Sequence, residues 1–466
     1  MSFITRGSQS SLGFWFNPVL YTPSKKKPNV ILISLDTLRA DHLGCYGYER
    51  NTTPHIDSFS SQSALFSNVY TSSPWTLPSH VSLLTSLFGV HHQVYNEDEK
   101  MDPSMVTLAD VLRQESYFCS AFTGGALVSA LYGFSKGFDS YRQTARGFWR
   151  KDAAEDVGQK ACHWLERNKE KNFFLFLHTY QPHNPYSSPS PYRSLFLSDD
   201  PEWKSIDLLH HLGGKKGVFK ALSPRERRNI INLYDGEIRY TDEKLVYPVL
   251  EKLKELGLYE QTLIVLTSDH GEEFYDHKGW EHGHTLYDEL LKVPLIIKFP
   301  QGRFAGEKID SIVRLVDIMP TLLEELGIPY SDYELDGRSL IPFLEGKESQ
   351  DRVFLADKGD NIVGSHIPQK ISMNKGSKKL ILNQEFNLQE KNFFTFPPPA
   401  VEPVEIYDLD KDPEEKQNIA DQNSTLAHQI IKAINDLYEE AKKRKKFKAQ
   451  IDKETEEQLK ALGYIR

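Results

Sequence analysis

The stretch VILISLD, residues 30–36, decides the fold, because it is a short apolar run that ends abruptly at a carboxylate. Three later stretches share this character: FFLFL at 173–177, LIVL at 263–266 and VPLIIKF at 293–299. Short apolar runs are typical of strands that are covered on both faces, as in a parallel sheet. We therefore predict that these four runs are buried strands of one sheet.

Helical patterns lie between these runs, at 107–115, 153–168 and 225–256. Strands that alternate with helices indicate a largely parallel sheet with helices on both faces. The segment 312–326 predicts a strand that turns into a helix, with Pro320 in the first turn and Gly327 at the end. The predicted class is therefore α/β.

The composition of the 466 residues narrows the class of protein further. With 12% aromatic residues and repeated apolar runs, the chain is ordered, and its length suits one large α/β domain with an appendage or two to three lobes. The net charge of −9 argues against a nucleic-acid binder. No apolar run approaches about 18 residues, so no transmembrane segment is predicted. Cys45, Cys119 and Cys162 lack the spacing of a thiolate metal site.

Changes in the pattern of apolar runs and predicted elements along the chain indicate three segments. They are an N-terminal arm at 1–28, a large α/β domain at 29–350 and a smaller α+β region at 351–466. In the arm, Leu12–Tyr21 is apolar but short, and it is either a degenerate or trimmed export signal or a piece that packs on the domain surface. The last region ends in a predicted charged helix, Ser424–Lys446. Its basic run, Lys442–Lys446, suits an acidic partner, a membrane surface or a solvated helix end.

Polar side chains follow three of the predicted strands directly or within a few residues. Asp36, His178 and the pair Asp269-His270 stand at these positions. Ligands of open α/β sheets bind beyond the carboxyl ends of the strands. Carboxylate oxygens combined with imidazole suit calcium, magnesium, manganese or zinc. The sequence therefore predicts a divalent-metal site at this edge of the sheet.

The segment SSPWTLPSHVSLLTS, residues 72–86, is the best candidate to supply a nucleophile. Pro78 suits the first turn of a helix, so we expect Thr76 to lie at the N-terminus of that helix. Backbone N–H groups and the helix dipole there favour a transferring anion, and a metal would lower the pKa of the hydroxyl. Two interpretations stay open: Thr76 is the nucleophile, or its side chain only caps the helix.

Nine segments spread from Asn29 to the C-terminal region extend this picture: NVILISLDTLRADHLGCYGY (29–48), TTPHIDSFS (52–60), TLPSHVSLLTS (76–86), FFLFLHTYQPHNPY (173–186), LIVLTSDHGEEF (263–274), WEHGHTLYDELLKVPLII (280–297), LVDIMPTLLEELGI (315–328), LDGRSLIPFLEG (335–346) and EIYDLDKDPEEKQNIA (405–420). Together they resemble the sulfatase family, within the alkaline phosphatase superfamily. The resemblance implies an alkaline-phosphatase-like sandwich, with a central mostly parallel sheet flanked by helices and a smaller C-terminal α+β region. The segment 29–350 would be the catalytic domain.

Carried over position by position, the resemblance implies four metal ligands: Asp36, Thr76, Asp269 and His270. Thr76 also occupies the nucleophile position of the family's C/S-x-P-S-R motif. His183 matches a histidine that contacts the substrate or the leaving group. His282 and His284 lie where sulfatases carry a substrate-binding lysine. We therefore expect Thr76, His183 and one or both of these histidines to be catalytic.

Three further residues are candidates for binding the substrate: Arg39, His80 and His178. His80 stands at the position of the arginine in the family motif, and His178 is common at its position in bacterial relatives. His178 could alternatively orient a loop through a hydrogen bond. Arg39 could hold a bound anion through two parallel hydrogen bonds, or it could pair with an acidic neighbour such as Asp41.

The chain departs from the family pattern at several positions. Threonine at position 76 cannot be converted to formylglycine, the aldehyde that sulfatases make from cysteine or serine, so no formylglycine is expected. Thr37 stands where many sulfatases have a second acidic ligand, and 121–141 lacks their internal K-x-H segment. A sulfo-threonine would lack the hemiacetal exit of formylglycine, whereas water can attack a phospho-threonine in line.

We therefore expect a metal-dependent hydrolase of sulfate or phosphate esters, using Ca, Mn, Mg or Zn, with cleavage of phosphoesters, phosphodiesters or phosphonates favoured. The alternatives are an arylsulfatase-like sulfuric ester hydrolase without formylglycine, and a non-catalytic metal-binding relative. The expected substrate is a small-molecule, glycan or lipid ester rather than nucleic acid. The sequence is compatible with a soluble protein inside or outside the cytoplasm, and it leaves the oligomeric state open.

Overall fold

The computed structural model describes residues 27–144, 151–197, 222–359, 370–383, 401–441 and 443–461. The predicted N-terminal arm, including Leu12–Tyr21, lies outside these residues except for its last two positions. No helix in these ranges is both long and apolar enough to cross a membrane.

The strands of the described chain are β1 Asn29–Leu35, β2 Ala64–Tyr70, β3 Glu99–Lys100, β4 Phe118–Thr123, β5 Ser140–Gln143, β6 Phe173–Thr179, β7 Thr262–Thr267, β8 Glu273–Phe274, β9 Trp280–Glu281, β10 Lys292–Lys298, β11 Lys308–Arg314, β12 Leu355–Lys358, β13 Lys370–Lys375, β14 Lys378–Asn383, β15 Val404–Asp408 and β16 Phe447–Lys448. Eight of them form one sheet in the order β11-β2-β10-β7-β1-β6-β4-β5. All four predicted apolar runs belong to this sheet, which confirms the predicted α/β class.

The helices are α1 Pro54–Ser60, α2 Thr76–Thr85, α3 Gly89–His92, α4 Leu108–Gln114, α5 Ala153–Asn168, α6 Pro224–Thr241, α7 Tyr247–Glu255, α8 Asp288–Leu291, α9 Ile318–Glu325, α10 Ile341–Leu344, α11 Ser424–Ala441 and α12 Lys453–Ala461. The helix predicted at 225–256 is interrupted by a π-helical turn at Asp242–Val246. Pro248, the second residue of α7, has no N–H and crowds the carbonyl of the preceding turn, which accounts for the widened turn. Gly327 follows α9 with a φ of 65°, as its predicted stop position requires.

The centre of the sheet is parallel and buried on both faces. β1 pairs in parallel with β6 on one side and with β7 on the other. Val30 and Leu32 pack into one hydrophobic cluster, and Ile31 and Ile33 pack into a second cluster on the opposite face. Because both faces of β1 are covered, its sequence is a continuous apolar run rather than an alternating one.

One of the four predicted strands runs against the others. β10 pairs antiparallel with both β7 and β2. Between β7 and β10 the chain contains the short pair β8–β9 and the four-residue helix α8, and it has no long crossover helix. A parallel connection needs such a crossover, whereas an antiparallel one does not. The sheet is therefore mixed, with a parallel centre.

The C-terminal part of the chain forms a second sheet, β12-β13-β14-β15, in which all neighbours are antiparallel. Helix α11 covers it, and Ile430, Ile434 and Tyr438 are buried in the shared cluster. β12 begins at Leu355, close to the predicted start of this region at residue 351. The division of the chain into domains at that point stays a prediction.

The predicted helix Ser424–Lys446 is too long, because α11 ends at Ala441. After it the chain turns and pairs β16 with β3. Lysine 442 lies outside the described residues, but Arg444 and Lys446 form ion pairs with Glu334 and Glu99 at 3.3 and 3.2 Å. Lys443, Arg444 and Lys445 are exposed, so the described part of the basic run is largely solvated, and two of its side chains have acidic partners within the chain.

A buried ion cluster joins the small sheet to the main one. Lys379 of β14 is fully buried, and its Nζ lies 2.7 Å from Asp288 and 2.8 Å from Glu415. The hydroxyl of Tyr70, at the end of β2, donates to the same Asp288 at 2.7 Å. Removal of one partner from a buried ion pair leaves an uncompensated charge.

We expect Lys379→Met to lower the free energy of unfolding by about 3–5 kcal/mol, because the buried carboxylate of Glu415 and the partly buried carboxylate of Asp288 would then lack their cation. Chemical denaturation monitored by circular dichroism measures this change. The control is Lys432→Met, which removes an exposed partner of Asp436 on α11 and should cost less than about 1 kcal/mol. Equal losses in the two variants would contradict the assigned role of the cluster.

Candidate active site

Three neighbouring strands bring the predicted polar residues to one edge of the sheet. In the parallel registers, Ser34 of β1 lies beside His178 of β6 and Thr267 of β7. Asp36 therefore follows β1 at the same level at which Asp269 follows β7. All of these side chains are fully buried. The structure therefore brings the ends of these three strands together at one edge of the sheet, as predicted.

Helix α2 adds Thr76 to this edge. Thr76 is the first residue of the helix, and the N-cap position is occupied by Trp75, whose side chain makes no capping hydrogen bond. The Oγ1 atom of Thr76 lies 3.3 Å from Asp36 Oδ2 and 3.2 Å from His270 Nε2. The hydroxyl thus points at the polar group of the strand ends, as a nucleophile there would.

Asp36, Asp269 and His270 form a group that could hold a metal ion. One ligand atom from each lies within 4.8 Å of the others, and all three residues are buried. Burial, followed by repulsion from Asp269 and Glu272, raises the pKa of Asp36 well above its ordinary value. Asp36 Oδ1 has no hydrogen-bond partner among the described residues. A buried oxygen of this kind in a carboxylate and imidazole set fits a divalent cation.

Thr37 lies next to this group in an unusual backbone conformation. Its φ is 57°, which is rare for a β-branched residue and carries a cost in strain. The Tyr234 hydroxyl donates to the Thr37 carbonyl at 2.6 Å and holds this conformation. The Thr37 Oγ1 atom is buried and makes no hydrogen bond with any part of the chain that the structure describes.

The hydrogen bonds of two histidines fix their neutral forms. Nδ1 of His270 lies 2.8 Å from the Gly271 carbonyl, so Nδ1 carries the proton and Nε2 faces Thr76 as a lone pair. Burial is the main cause that lowers the pKa of His270 to about 4. The Gly124 N–H donates to Nδ1 of His178, so the proton of His178 is on Nε2, which lies 3.4 Å from Asp36 Oδ2.

His80, a predicted substrate ligand, lies next to Thr76 and Asp269. Its Nδ1 donates to the Thr76 carbonyl at 2.9 Å and lies 3.3 Å from Asp269 Oδ2. Its Nε2 lies 3.0 Å from the Ser34 hydroxyl. Both ring nitrogens are therefore occupied by protein atoms, and the ring is fully buried. The His80 ring therefore holds the carbonyl of Thr76 and the carboxylate of Asp269 in place.

His183 and His282 lie together on the other side of His270. The ring centroid of His282 is 4.4 Å from that of His270 and 4.9 Å from that of His183. Burial lowers the pKa of His183 to about 4 and that of His282 to about 3, so both rings are neutral. His284, two residues further along, bonds instead through Nε2 to Glu273 at 2.6 Å.

Arg39 has the acidic neighbours that the sequence allowed for it. Its Nε and Nη2 atoms bond to the two oxygens of Asp41 at 2.9 and 2.7 Å. Its Nη1 bonds to Asp276 at 2.9 Å and to the carbonyl of Glu272 at 2.9 Å. The guanidinium is thus engaged by two carboxylates and fixes the loop after His270.

The sequence reasoning missed Glu272, which is fully buried at this edge. Its Oε1 lies 2.8 Å from Nδ1 of His282, and its Oε2 accepts from the Tyr186 hydroxyl at 3.0 Å. The available signal was its place in the segment TSDHGEEF, two residues after the predicted ligand His270. An acidic residue so close to a metal-ligand pair is a candidate partner for a site histidine.

Comparison with known proteins agrees with this geometry. The Sulfatase family model matches residues 28–328. Arylsulfatase K of Bos taurus is 26% identical over 454 residues, which cover 88% of this chain and 82% of the relative. The multifunctional alkaline phosphatase superfamily protein PehA of Trinickia caryophylli is also 26% identical, over 84% of this chain and 91% of its own length.

A solved structure has the same fold. The phosphonate monoester hydrolase of Agrobacterium radiobacter superposes with a TM-score of 0.69 at 22% sequence identity, covering 89% of this chain and 96% of its own. The family model spans well over half of the present chain and includes Asp36, Thr76, Asp269 and His270. This protein therefore belongs to the sulfatase family and is an ester hydrolase of the alkaline phosphatase superfamily.

Proposed function

We propose that this protein is a metal-dependent hydrolase of singly charged phosphorus esters, namely phosphodiesters and phosphonate monoesters, with Thr76 as its nucleophile. The observation that carries the proposal is the position of the Thr76 hydroxyl. It lies at the first residue of α2, within hydrogen-bonding distance of Asp36 and His270. A non-catalytic metal-binding relative could use the same hydroxyl as a ligand, so the Thr76 variants below, assayed for turnover, separate the two functions.

The divalent cation would be held by Asp36, Asp269, His270 and Thr76. When bound, such a cation lowers the pKa of a coordinated hydroxyl and neutralises charge on the transferring group. The first N–H groups of α2 and its dipole favour the same anionic group. Thr76 attacks the phosphorus, and the ester oxygen opposite leaves. The chain then carries a phospho-threonine, which water attacks in line.

The side chain at position 76 favours phosphorus over sulfur. Formylglycine releases sulfate because its hydrate can break the bond between carbon and oxygen, and Thr76 has no second hydroxyl for this step. A phospho-threonine needs only attack by water at phosphorus. The proposed nucleophile therefore completes a catalytic cycle with phosphorus esters without any modification of the chain.

The charge of the site favours a substrate with a single negative charge. A divalent cation offsets Asp36 and Asp269, and the neighbouring histidines His183, His270 and His282 are neutral. Arg39 is engaged by Asp41 and Asp276. Among the described side chains of the site, no other cation faces a second charge on the substrate, so a dianionic phosphate monoester is poorly compensated.

The relatives support hydrolysis of phosphorus esters and also favour a second candidate function. PehA is described as a multifunctional member of the superfamily, and the structurally similar enzyme from Agrobacterium radiobacter is a phosphonate monoester hydrolase. The similarity to arylsulfatase K favours a second candidate, hydrolysis of aryl sulfates without formylglycine. Sulfate monoesters also carry one charge, so only the chemistry of release distinguishes the two candidates.

We expect Thr76→Ala to lower kcat/KM by at least about 10³-fold, since the covalent route is lost, while Thr76→Ser stays within about tenfold of the wild type. Steady-state hydrolysis of bis(4-nitrophenyl) phosphate measures this. The matched control is Thr85→Ala, which removes a buried hydroxyl from the same helix, where it bonds only to the Val81 carbonyl. The kcat/KM of that variant should stay within about threefold of the wild-type value. A Thr76→Ala protein with wild-type turnover would refute the assignment.

We expect singly charged phosphorus esters to be hydrolysed at least about tenfold faster, in kcat/KM, than 4-nitrophenyl phosphate at pH 8. The gap should narrow at pH 5, because the second pKa of a phosphate monoester is about 6 and the monoester then carries one charge. The panel contains bis(4-nitrophenyl) phosphate, 4-nitrophenyl phenylphosphonate, 4-nitrophenyl phosphate and 4-nitrophenyl sulfate. Preferred turnover of the sulfate would favour the second candidate instead.

We expect a chelator to abolish turnover and to lower the Tm, because Asp36 and Asp269 then face each other without a cation. Return of Ca, Mn, Mg or Zn at about 100 times its Kd should restore about 2.7 kcal/mol of stability. Scanning calorimetry and metal analysis measure this. Asp269→Asn should lose the metal-dependent increment. Asp336→Asn, which removes a partner of His91, should keep it. An increment that survives in Asp269→Asn would exclude this site.

A further inference from the structure

The loop 181–188, which follows strand β6, carries two of the side chains at the active-site edge. The ring centroid of His183 lies 4.9 Å from that of His282, and the hydroxyl of Tyr186 donates to Glu272 at 3.0 Å. Both side chains of the loop are buried. The position of the backbone of this loop therefore determines where both groups stand.

One buried carboxylate is bonded to both ends of this loop. Glu237 of α6 is fully buried, and its Oε2 accepts from Nε2 of Gln181 at 2.6 Å, at the start of the loop. Its Oε1 accepts from the backbone N–H of Ser188, at the end of the loop. Gln181 and Ser188 are buried as well. A single side chain of the helix thus joins the two ends of the loop.

The side chain of Gln181 determines which kind of residue can stand at position 237. Its Oε1 accepts from the N–H of Ala154 at 2.9 Å, so its Nε2 is the atom that faces Glu237. Nε2 also donates to the carbonyl of Lys151 at 3.2 Å. Because Gln181 and Ser188 both present N–H groups, the side chain at 237 must offer two acceptor atoms. A carboxylate does so, whereas a glutamine amide offers only one.

The loop is bound on two sides. On the side of α6, a side-chain carbon at Gly236 would lie only 2.6 Å from the carbonyl oxygen of Tyr192, so glycine permits the close approach of the helix to the chain just beyond the loop. On the other side, Nδ2 of Asn184 donates to Glu281 at 2.8 Å, next to His282. Glu237 therefore connects α6 to the segment that faces the active site.

We propose that Glu237 is a positioning residue for the hydrolysis assigned above: by bonding to both ends of the loop 181–188, it holds His183 at the active-site edge, where that ring contacts the substrate. This inference rests on the proposed function and adds to it a residue that acts through the loop rather than on the reacting atoms. The role requires neither proton transfer nor a change of charge at Glu237. Misplacement of a contacting group by about 1 Å can lower a rate about 100-fold.

A double-mutant cycle in the full-length, metal-loaded protein tests this role. We expect Glu237→Gln to lower kcat/KM for bis(4-nitrophenyl) phosphate by at least about tenfold, at a temperature where the protein is folded, because one end of the loop is released. In a His183→Ala background the same substitution should cost less than about threefold, because both changes act through one residue. The effect of Glu237→Gln on the Tm should be similar in both backgrounds, and the metal-dependent rise in Tm should persist.

The matched control is Asp242→Asn. Asp242 directly follows α6, is also fully buried, and accepts from the N–H groups of His55 and Ile56 at 3.0 and 2.7 Å. It therefore holds α1 rather than the loop, and an amide in its place likewise offers one acceptor atom for two donors. We expect a comparable loss in Tm, while kcat/KM stays within about threefold of the wild-type value.

An exchange of the two partners tests the pairing itself. Gln181→Glu alone places two buried carboxylates in contact and should lower kcat/KM at least as much as Glu237→Gln. In the double variant, positions 181 and 237 again present one amide and one carboxylate, and only the bond to the Lys151 carbonyl is lost. Its kcat/KM should return to within about fivefold of the wild-type value. If Glu237→Gln does not fold, Gln181→Ala, which releases only the start of the loop, takes its place in the cycle.

Equal kinetic losses in Glu237→Gln and Asp242→Asn would overturn the positioning role, as would full multiplication of the Glu237→Gln and His183→Ala effects. In either case the proposed function still stands if Thr76→Ala abolishes turnover. If the protein hydrolyses aryl sulfates rather than phosphorus esters, the same variants assayed on 4-nitrophenyl sulfate decide the role of Glu237. A wild-type protein with no turnover on either class would overturn the proposed function and the positioning role together.

Discussion

Two buried carboxylates at neighbouring strand ends impose the constraint on which the rest of the site depends. Asp36 follows β1 and Asp269 follows β7, and the parallel pairing of these strands places both in the interior at one level. Burial and mutual repulsion raise the pKa of Asp36 well above its ordinary value. Buried charges are tolerated when they are paired or bind a metal. Under the proposed function, a divalent cation held with Thr76 and His270 would offset the cost of burying these two carboxylates.

The sequence could predict those features of the fold that depend on residues close together in the chain. Because β1 is covered on both faces, its apolar run marks the strand, and the next residue marks the carboxyl end of that strand. The approach of His178 to Asp36 at 3.4 Å follows from that reasoning alone. The antiparallel direction of β10 does not, because it depends on a connection without a crossover helix rather than on apolar content. After α11 ends at Ala441, the chain pairs β16 with β3, a contact with a distant part of the chain that the charged pattern of the helix does not indicate.

The sequence predicted which residue types meet at this edge of the sheet but not how they pair. His282 and His284 are alike in the sequence, as are Glu272 and Glu273, and only the direction of side chains on a short loop separates the two pairs. The sequence does not indicate the direction in which a side chain points where neither a helical nor a strand periodicity is present. The same limit applies in part to Arg39, since the sequence allowed its pairing with Asp41 but gave no sign of its pairing with Asp276.

Three departures from the family pattern have a common consequence. Thr76 and His80 stand where the resemblance has a formylglycine precursor and an arginine, and His282 and His284 lie where it has a lysine. The first change removes the aldehyde, and the other two replace permanent cations by rings that can be neutral. The chain nevertheless has a buried hydroxyl 3.2 Å from His270 and a histidine held by Glu272. For a singly charged phosphorus ester, however, a plain hydroxyl suffices as nucleophile, fewer cations are required, and a neutral histidine can move the proton. The three substitutions are therefore mutually consistent under the proposed reaction, whereas under formylglycine chemistry each would be a separate defect.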